Sequence, residues 1–156
     1  MKKLFALLLV FSLLLTGCST KEVSVSHSIE DLTIRIPAGY TELTGEEFAE
    51  GLAFVFGKDP IAINGLREEK ATFEAYGLNL DLQSYAKFVI LANNVSATLE
   101  QKDGIYTFSY ASKDFTYVVT VWETESAFWT VQAYCPNENY GKAKDEMWNI
   151  LRSVKV

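Results

Sequence analysis

Few side chains in this sequence are placed to do chemistry, and the two thiols come first. Cys18 closes the run Leu15-Thr16-Gly17-Cys18, in which small residues lead up to the sulfur. A thiolate there can be alkylated, and small residues before it let a protease hold the chain extended and cut the Gly17–Cys18 bond. Cys135 ends the apolar run Trp129–Cys135, just ahead of Pro136. As a nucleophile it would need a neighbouring base and a depressed pKa. The one imidazole, His27, is remote in sequence and no motif links the two. A buried free thiol is therefore the expectation for Cys135. A metal ion would need companions for His27 at ligand spacing, and the sequence offers none. The acids Glu46, Glu47, Glu50, Asp59, Asp81 and Asp103 match no calcium-loop pattern. Asp59, Asp81 and Asp103 stand where turns and helix caps use aspartate. Arg67-Glu68-Glu69-Lys70 reads as a solvated helix start. No metal, no cofactor and no catalytic residue is expected, and hence no enzyme.

The surroundings of Cys18 sharpen its chemistry. Lys2 and Lys3 make a positive start, and an apolar run from Leu4 to Leu15 follows, broken only by Ser12. That run is well short of the roughly 20 residues a helix needs to cross a bilayer, but it fits the apolar core of a secretory signal peptide. Together with Leu15-Thr16-Gly17-Cys18 it resembles the signal and lipobox of bacterial lipoproteins. The resemblance implies cleavage before Cys18 and acylation of its sulfur, and more than one acyl chain anchors stably where a single chain does not. The expected organisation is a signal peptide over 1–17, a lipidated cysteine and tether over 18–22, and one domain over 23–156. The expected location is the extracytoplasmic face of the cell membrane. Ser19–Glu22 reach at most about 14 Å, which keeps the domain near the headgroups.

The domain has the material for a core. The chain has 156 residues, 49 % of them hydrophobic and 13 % aromatic, a length that suits one domain. A net charge of −6 lacks the clustered Lys and Arg of a nucleic-acid footprint. Two Cys and one His exclude a disulfide framework and the usual zinc sites.

Apolar periodicity then supplies the elements. Val23–His27 and Leu32–Ile36 alternate as strands. Leu52–Phe56 and Ile61–Leu66 form a pair joined by the turn Gly57-Lys58-Asp59-Pro60, and Glu68–Tyr76 suits a short helix stopped by Gly77. Asp81 caps a helix over Leu82–Asn93. A meander follows over Val95–Gln101, Ile105–Tyr110, Phe115–Glu123 and Phe128–Cys135, with turns at hairpin spacing. A last helix over Tyr140–Arg152 runs into a short edge strand, Ser153–Val156. The sum is an α+β domain, an antiparallel meander flanked by helices.

This layout resembles PsbP-like domains. The strand Leu32–Ile36 leads into Pro37-Ala38-Gly39-Tyr40. A strand pair, the helix Leu82–Asn93 and the meander come next, and a final helix carrying Met147-Trp148 runs into Ser153-Val154-Lys155-Val156. The resemblance spans nearly all of the domain through order and spacing. It implies an αβα sandwich, a fold also found in a Ran-binding nuclear import factor, and a module that binds or adapts rather than catalyses.

Aromatic residues point to where such binding would occur. Tyr106, Phe108 and Tyr110 share one strand face, as do Phe115 and Tyr117, while Trp122, Phe128 and Trp129 crowd the hairpin around Glu123–Ala127. Two helices are expected to cover one face of the sheet, leaving some rings exposed, and exposed Trp and Tyr favour binding surfaces. The expected interaction surface is Trp122, Phe128 and Trp129. The expected function is a membrane-anchored, non-catalytic binding or adaptor module for an envelope protein. The alternative is a small-ligand carrier with a pocket lined by the meander aromatics.

Overall fold

The computed structural model describes residues 23–44 and 51–156. Segments 1–17 and 18–22, and with them Gly17 and Cys18, lie outside the described residues, as do Glu46, Glu47 and Glu50. Strands β1 (Ser24–Ile29) and β2 (Leu32–Pro37) pair as an antiparallel hairpin, with Ile29 opposite Leu32. Alternation along β2 turns Leu32, Ile34 and Ile36 inward.

Seven further strands form one antiparallel sheet. They are β3 (Thr41–Glu42), β4 (Leu52–Lys58), β5 (Ile61–Glu69), β6 (Glu100–Lys102), β7 (Ile105–Ala111), β8 (Phe115–Glu123) and β9 (Ala127–Pro136). Their spatial order is β3-β4-β5-β9-β8-β7-β6. Helix α1 (Lys70–Ala75) follows β5, α2 (Leu82–Ala92) precedes β6, and α3 (Tyr140–Leu151) follows β9.

The helices cover both faces of the sheet, as an αβα sandwich requires, rather than the single face expected of them. The central strands β8 and β9 read as near-continuous buried runs, Val118–Val121 and Ala127–Val131, and a strand buried on both sides must be covered on both sides. On one face, α3 and the β1–β2 hairpin close over Phe54, Phe56, Ile63, Trp129, Val131 and Cys135. On the other, α1 and α2 close over Phe108, Val119, Val121 and Phe128. Helix α3 delivers Met147, Ile150 and Leu151 to the first core; α2 delivers Tyr85, Ala86 and Val89 to the second.

Local chemistry accounts for the boundaries. The Asp81 carboxylate accepts the Ser84 backbone N–H at 2.7 Å and starts α2, as an N-cap does. Gly77, at φ +74°, ends α1 while its N–H donates to Glu74 O at 2.8 Å; a left-handed residue in this position favours glycine. Three expected elements differ. The short helix loses its first residues to β5, because Glu68 and Glu69 stay paired with Phe128 and Ala127 of β9. Val95–Leu99 is irregular because Val95 N–H still donates to Ile90 O, closing α2, and Ala97 and Leu99 pack directly on the second core. The closing strand is a single bridge, with Thr33 and Lys155 exchanging N–H···O bonds of 2.8 Å.

Candidate functional site

The expected hairpin surface is corrected by the structure. Trp129 is 0 % and Phe128 1 % exposed. Because neighbours on a strand point to opposite faces, the pair is split between the two cores. Trp129 joins Phe54 on the α3 face, and its indole N–H donates to Asp31 at 2.7 Å. Phe128 stacks beneath Tyr85 on the α2 face, ring centroids 4.4 Å apart. Trp122 is half-buried against the α3-face core and donates to Thr120 Oγ1 at 3.0 Å. The burial is the reason these rings are not a platform.

The other sequence candidates are likewise dispersed. Cys135 is buried on the α3 face, where desolvation pushes its thiol up rather than activating it. His27 packs its ring on Phe56 at 4.6 Å. Among the described residues, no cluster of three or more His, Cys, Asp or Glu is arranged to hold a metal.

Arg67 is turned to the α3 face and ties the β1–β2 hairpin to the sheet. Its guanidinium meets Glu30 at 2.9 Å and Asp31 at 3.2 Å, and also pairs with Glu69. Burial raises the Asp31 carboxyl, but hydrogen bonds from Arg67, Thr124 and Trp129 and the Arg67 charge outweigh it, and it falls to about 2. This is a structural clamp: every group in it is satisfied by another.

The α2 face holds the candidate site. Helix α2 seats on β7 and β8, and between it and the long strands β5 and β9 a cleft of about 370 Å³ remains, within the range of small-molecule pockets. Leu52, Leu66, Phe88 and Val89 supply apolar wall, while Phe108 and Tyr110 bring rings from the meander. Its floor is polar. Asn64 and Gln132 are register partners across β5 and β9 and both line the cleft. Asn64 is only 7 % exposed; no buried side-chain N or O is left without a partner among the described residues, so the little surface its amide keeps is what opens into the cleft.

One end of the cleft carries a hydrogen-bonded relay. Tyr85 Oη lies 2.6 Å from Glu68 Oε2 and 3.1 Å from Thr130 Oγ1. Burial, reinforced by Glu68, pushes the Tyr85 phenol up, so it keeps its proton and donates it to Glu68. Thr130 must then donate to the Tyr85 oxygen. Glu68 is thus a half-buried carboxylate on the cleft wall rather than a member of a solvated helix start. At the opposite end the cleft meets a stacked row, with Tyr110, Tyr117 and Tyr134 at successive ring separations of 4.7 and 5.2 Å. The meander aromatics that line or border a pocket are therefore Phe108 and this row.

Asn64, Gln132 and Glu68 were not legible as a site. The available signal was an amide at a core-facing position of the apolar run Ile61-Ala62-Ile63-Asn64-Gly65-Leu66, and a second in Val131-Gln132-Ala133.

The whole architecture has a counterpart among solved structures. The solution structure of cyanobacterial PsbP (CyanoP) from Synechocystis sp. PCC 6803 superposes with a TM-score of 0.55 at 14 % identity, covering 91 % of this chain and 98 % of that one. The fold is PsbP-like. A Bacteroides thetaiotaomicron VPI-5482 protein also aligns, with a TM-score of 0.48 and 11 % identity over 85 % of this chain and 47 % of that one. By sequence, the chain matches no family model and no curated protein. In this sandwich β9 is the middle strand with β5 beside it, and the cleft lies where their polar floor faces α2.

Proposed function

We propose that this chain is a non-catalytic small-ligand-binding module, anchored at the extracytoplasmic face of a bacterial membrane by acylation of Cys18. The observation that carries the binding role is the cleft beneath α2, with the Asn64 amide opening into it from a nearly buried position. The polar atoms of that amide keep their contact with the cleft, where a ligand can donate to its oxygen or accept from its nitrogen. Burial of Trp129 and Phe128 shifts support away from a protein partner at that hairpin and toward a pocket. The anchor rests on Lys2, Lys3, the Leu4–Leu15 run and Leu15-Thr16-Gly17-Cys18. Among the described residues, no helix is long and apolar enough to cross a membrane.

Two experiments test the two parts. A fragment screen by NMR on the isotope-labelled protein should give hits whose shifts converge on α2, β5 and β9; hits scattered over the surface, or none, remove the cleft reading. Palmitate labelling in cells should mark the wild type and not Cys18→Ala; label retained on the variant removes the anchor.

A further inference from the structure

We propose that the cleft selects amine-bearing ligands, with Glu68 as the residue that reads their positive charge. The inference rests on the binding reading above and deepens it. Among the described residues that line the cleft the only formal charge is negative, the Glu68 carboxylate, and none of them is Lys, Arg or His. That carboxylate is half-buried and has no ion-pair partner among the described residues. Among the described residues its one hydrogen bond comes from Tyr85, to Oε2, which leaves Oε1 to accept from a ligand. The nearest cation in sequence on the same face, Lys70, is engaged elsewhere. Its ammonium sits 2.7 Å from Glu123 Oε1 and 2.7 Å from Thr124 O, over the Phe128 ring.

The remaining lining fits the rest of such a molecule. From Glu68 to Asn64 along β5 is about 13 Å at about 3.3 Å per residue, and the side chains converge into the same cleft. An ammonium group at Glu68 leaves the ligand body under α2 against Phe88, Val89 and Leu66. Its far end reaches Asn64 and Gln132, whose amides both donate and accept. Phe108 and Tyr110 offer ring faces there, which suit an aromatic or alkyl portion. An anion in the same place would meet Glu68 with no compensating cation. Charge-assisted hydrogen bonds are roughly twice as strong as neutral ones, so charge is the feature on which the cleft discriminates most.

The test uses three soluble probes of nearly one shape: tyramine (cationic), para-ethylphenol (neutral) and para-hydroxyphenylpropionate (anionic). Each is titrated into the isotope-labelled full-length protein and followed at the side-chain amide signals of Asn64 and Gln132. Tyramine should move both signals and bind about tenfold tighter than para-ethylphenol, with the propionate weaker still. Glu68→Gln, which keeps an oxygen for Tyr85 to donate to, should bring tyramine and para-ethylphenol within about twofold of each other. Equal or tighter binding of the neutral or anionic probe at the same signals overturns the charge assignment and leaves the cleft as a ligand site. A tyramine preference that survives Glu68→Gln also overturns it. If none of the probes moves the two signals, the inference falls, and the fragment screen then decides separately whether the cleft binds anything.

Discussion

The two faces of the central sheet are built from the same strands and finished differently. Under α3 and the β1–β2 hairpin, side chains from β4, β5, β8 and β9 interlock, and the polar groups at the margin, Asp31, Arg67 and Trp129 Nε1, are paired with one another. Under α1 and α2 the packing is tight at one end, where Phe73, Tyr85 and Phe128 meet, and stops short in the middle. There the strands present Asn64 and Gln132 where Ile63 and Val131 stand on the reverse side. One face is assembled for stability. The other gives up packing for a cleft with polar groups in it, as binding sites commonly do.

The sharpest way to break that comparison is to cut into the sealed face. Trp129→Ala empties a fully buried site beside Phe54 and removes the donor to Asp31. A loss of about 3–5 kcal/mol is expected, measured by denaturant unfolding. A loss below about 1 kcal/mol would mean that this face is not the tightly packed one.

Adding atoms to the same face should also be costly. A Cβ on Gly65 would run into the ring of Phe54, its register partner on β4. The ring is buried among Phe56 and Trp129 and has little room to turn aside. Gly65→Ala should cost about 1–3 kcal/mol, read as a lower midpoint in the same unfolding experiment. If the midpoint is unchanged, the face has slack that its interlocked rings do not suggest.

Acid offers a gentler probe of the clamp at the edge of the sealed face. The Asp31 carboxyl is depressed from its ordinary 3.8 to about 2 by the hydrogen bonds and charge that outweigh its burial. A lowered folded-state value favours the fold at pH above the ordinary value and ceases to do so as pH falls from 3.8 through 2. Unfolding midpoints of the wild type and Asp31→Asn should therefore differ near neutral pH and converge as the pH approaches about 2. A gap that stays constant over that window would show that Asp31 acts without its charge.

Local elements on both faces could be read from sequence, and little of the cleft. Alternation in Leu32-Thr33-Ile34-Arg35-Ile36, the Asp81 cap and the hairpin turns of the meander are local signals, because a strand or a helix start is settled by neighbours a few residues away. Which face a helix covers is not local. It depends on the path of the chain between α2 and α3, across the whole meander. The adjacency of Phe128 and Trp129 suggested one aromatic cluster, yet strand geometry sends adjacent residues to opposite cores. Glu68 beside Arg67, Glu69 and Lys70 looked like solvated charge, and only pairing with β9 draws it inward. Asn64 and Gln132 meet through register between strands distant in sequence, so neither residue announces the other. The apolar run Leu4–Leu15 and the segment Leu15-Thr16-Gly17-Cys18 are readable as motifs, but they lie outside the described residues.

The smallest effect separates the faces best. At Asn64 a change to leucine keeps nearly the same size and removes an amide whose polar atoms open into the cleft. On the sealed face, swapping a residue's chemistry orphans whatever it was bonded to, as Trp129 would orphan Asp31 of one donor. In the cleft no protein group loses a partner, and an amide that meets only the open cleft is lost at little cost. Asn64→Leu should unfold within about 0.5 kcal/mol of the wild type or be slightly more stable, while the response of the Gln132 signal to tyramine is lost. The combination matters more than either half. A residue kept for packing loses stability when replaced, and one kept for a ligand loses only the ligand, so a destabilised Asn64→Leu that still binds tyramine would place Asn64 with the sealed core and erase the distinction between the faces.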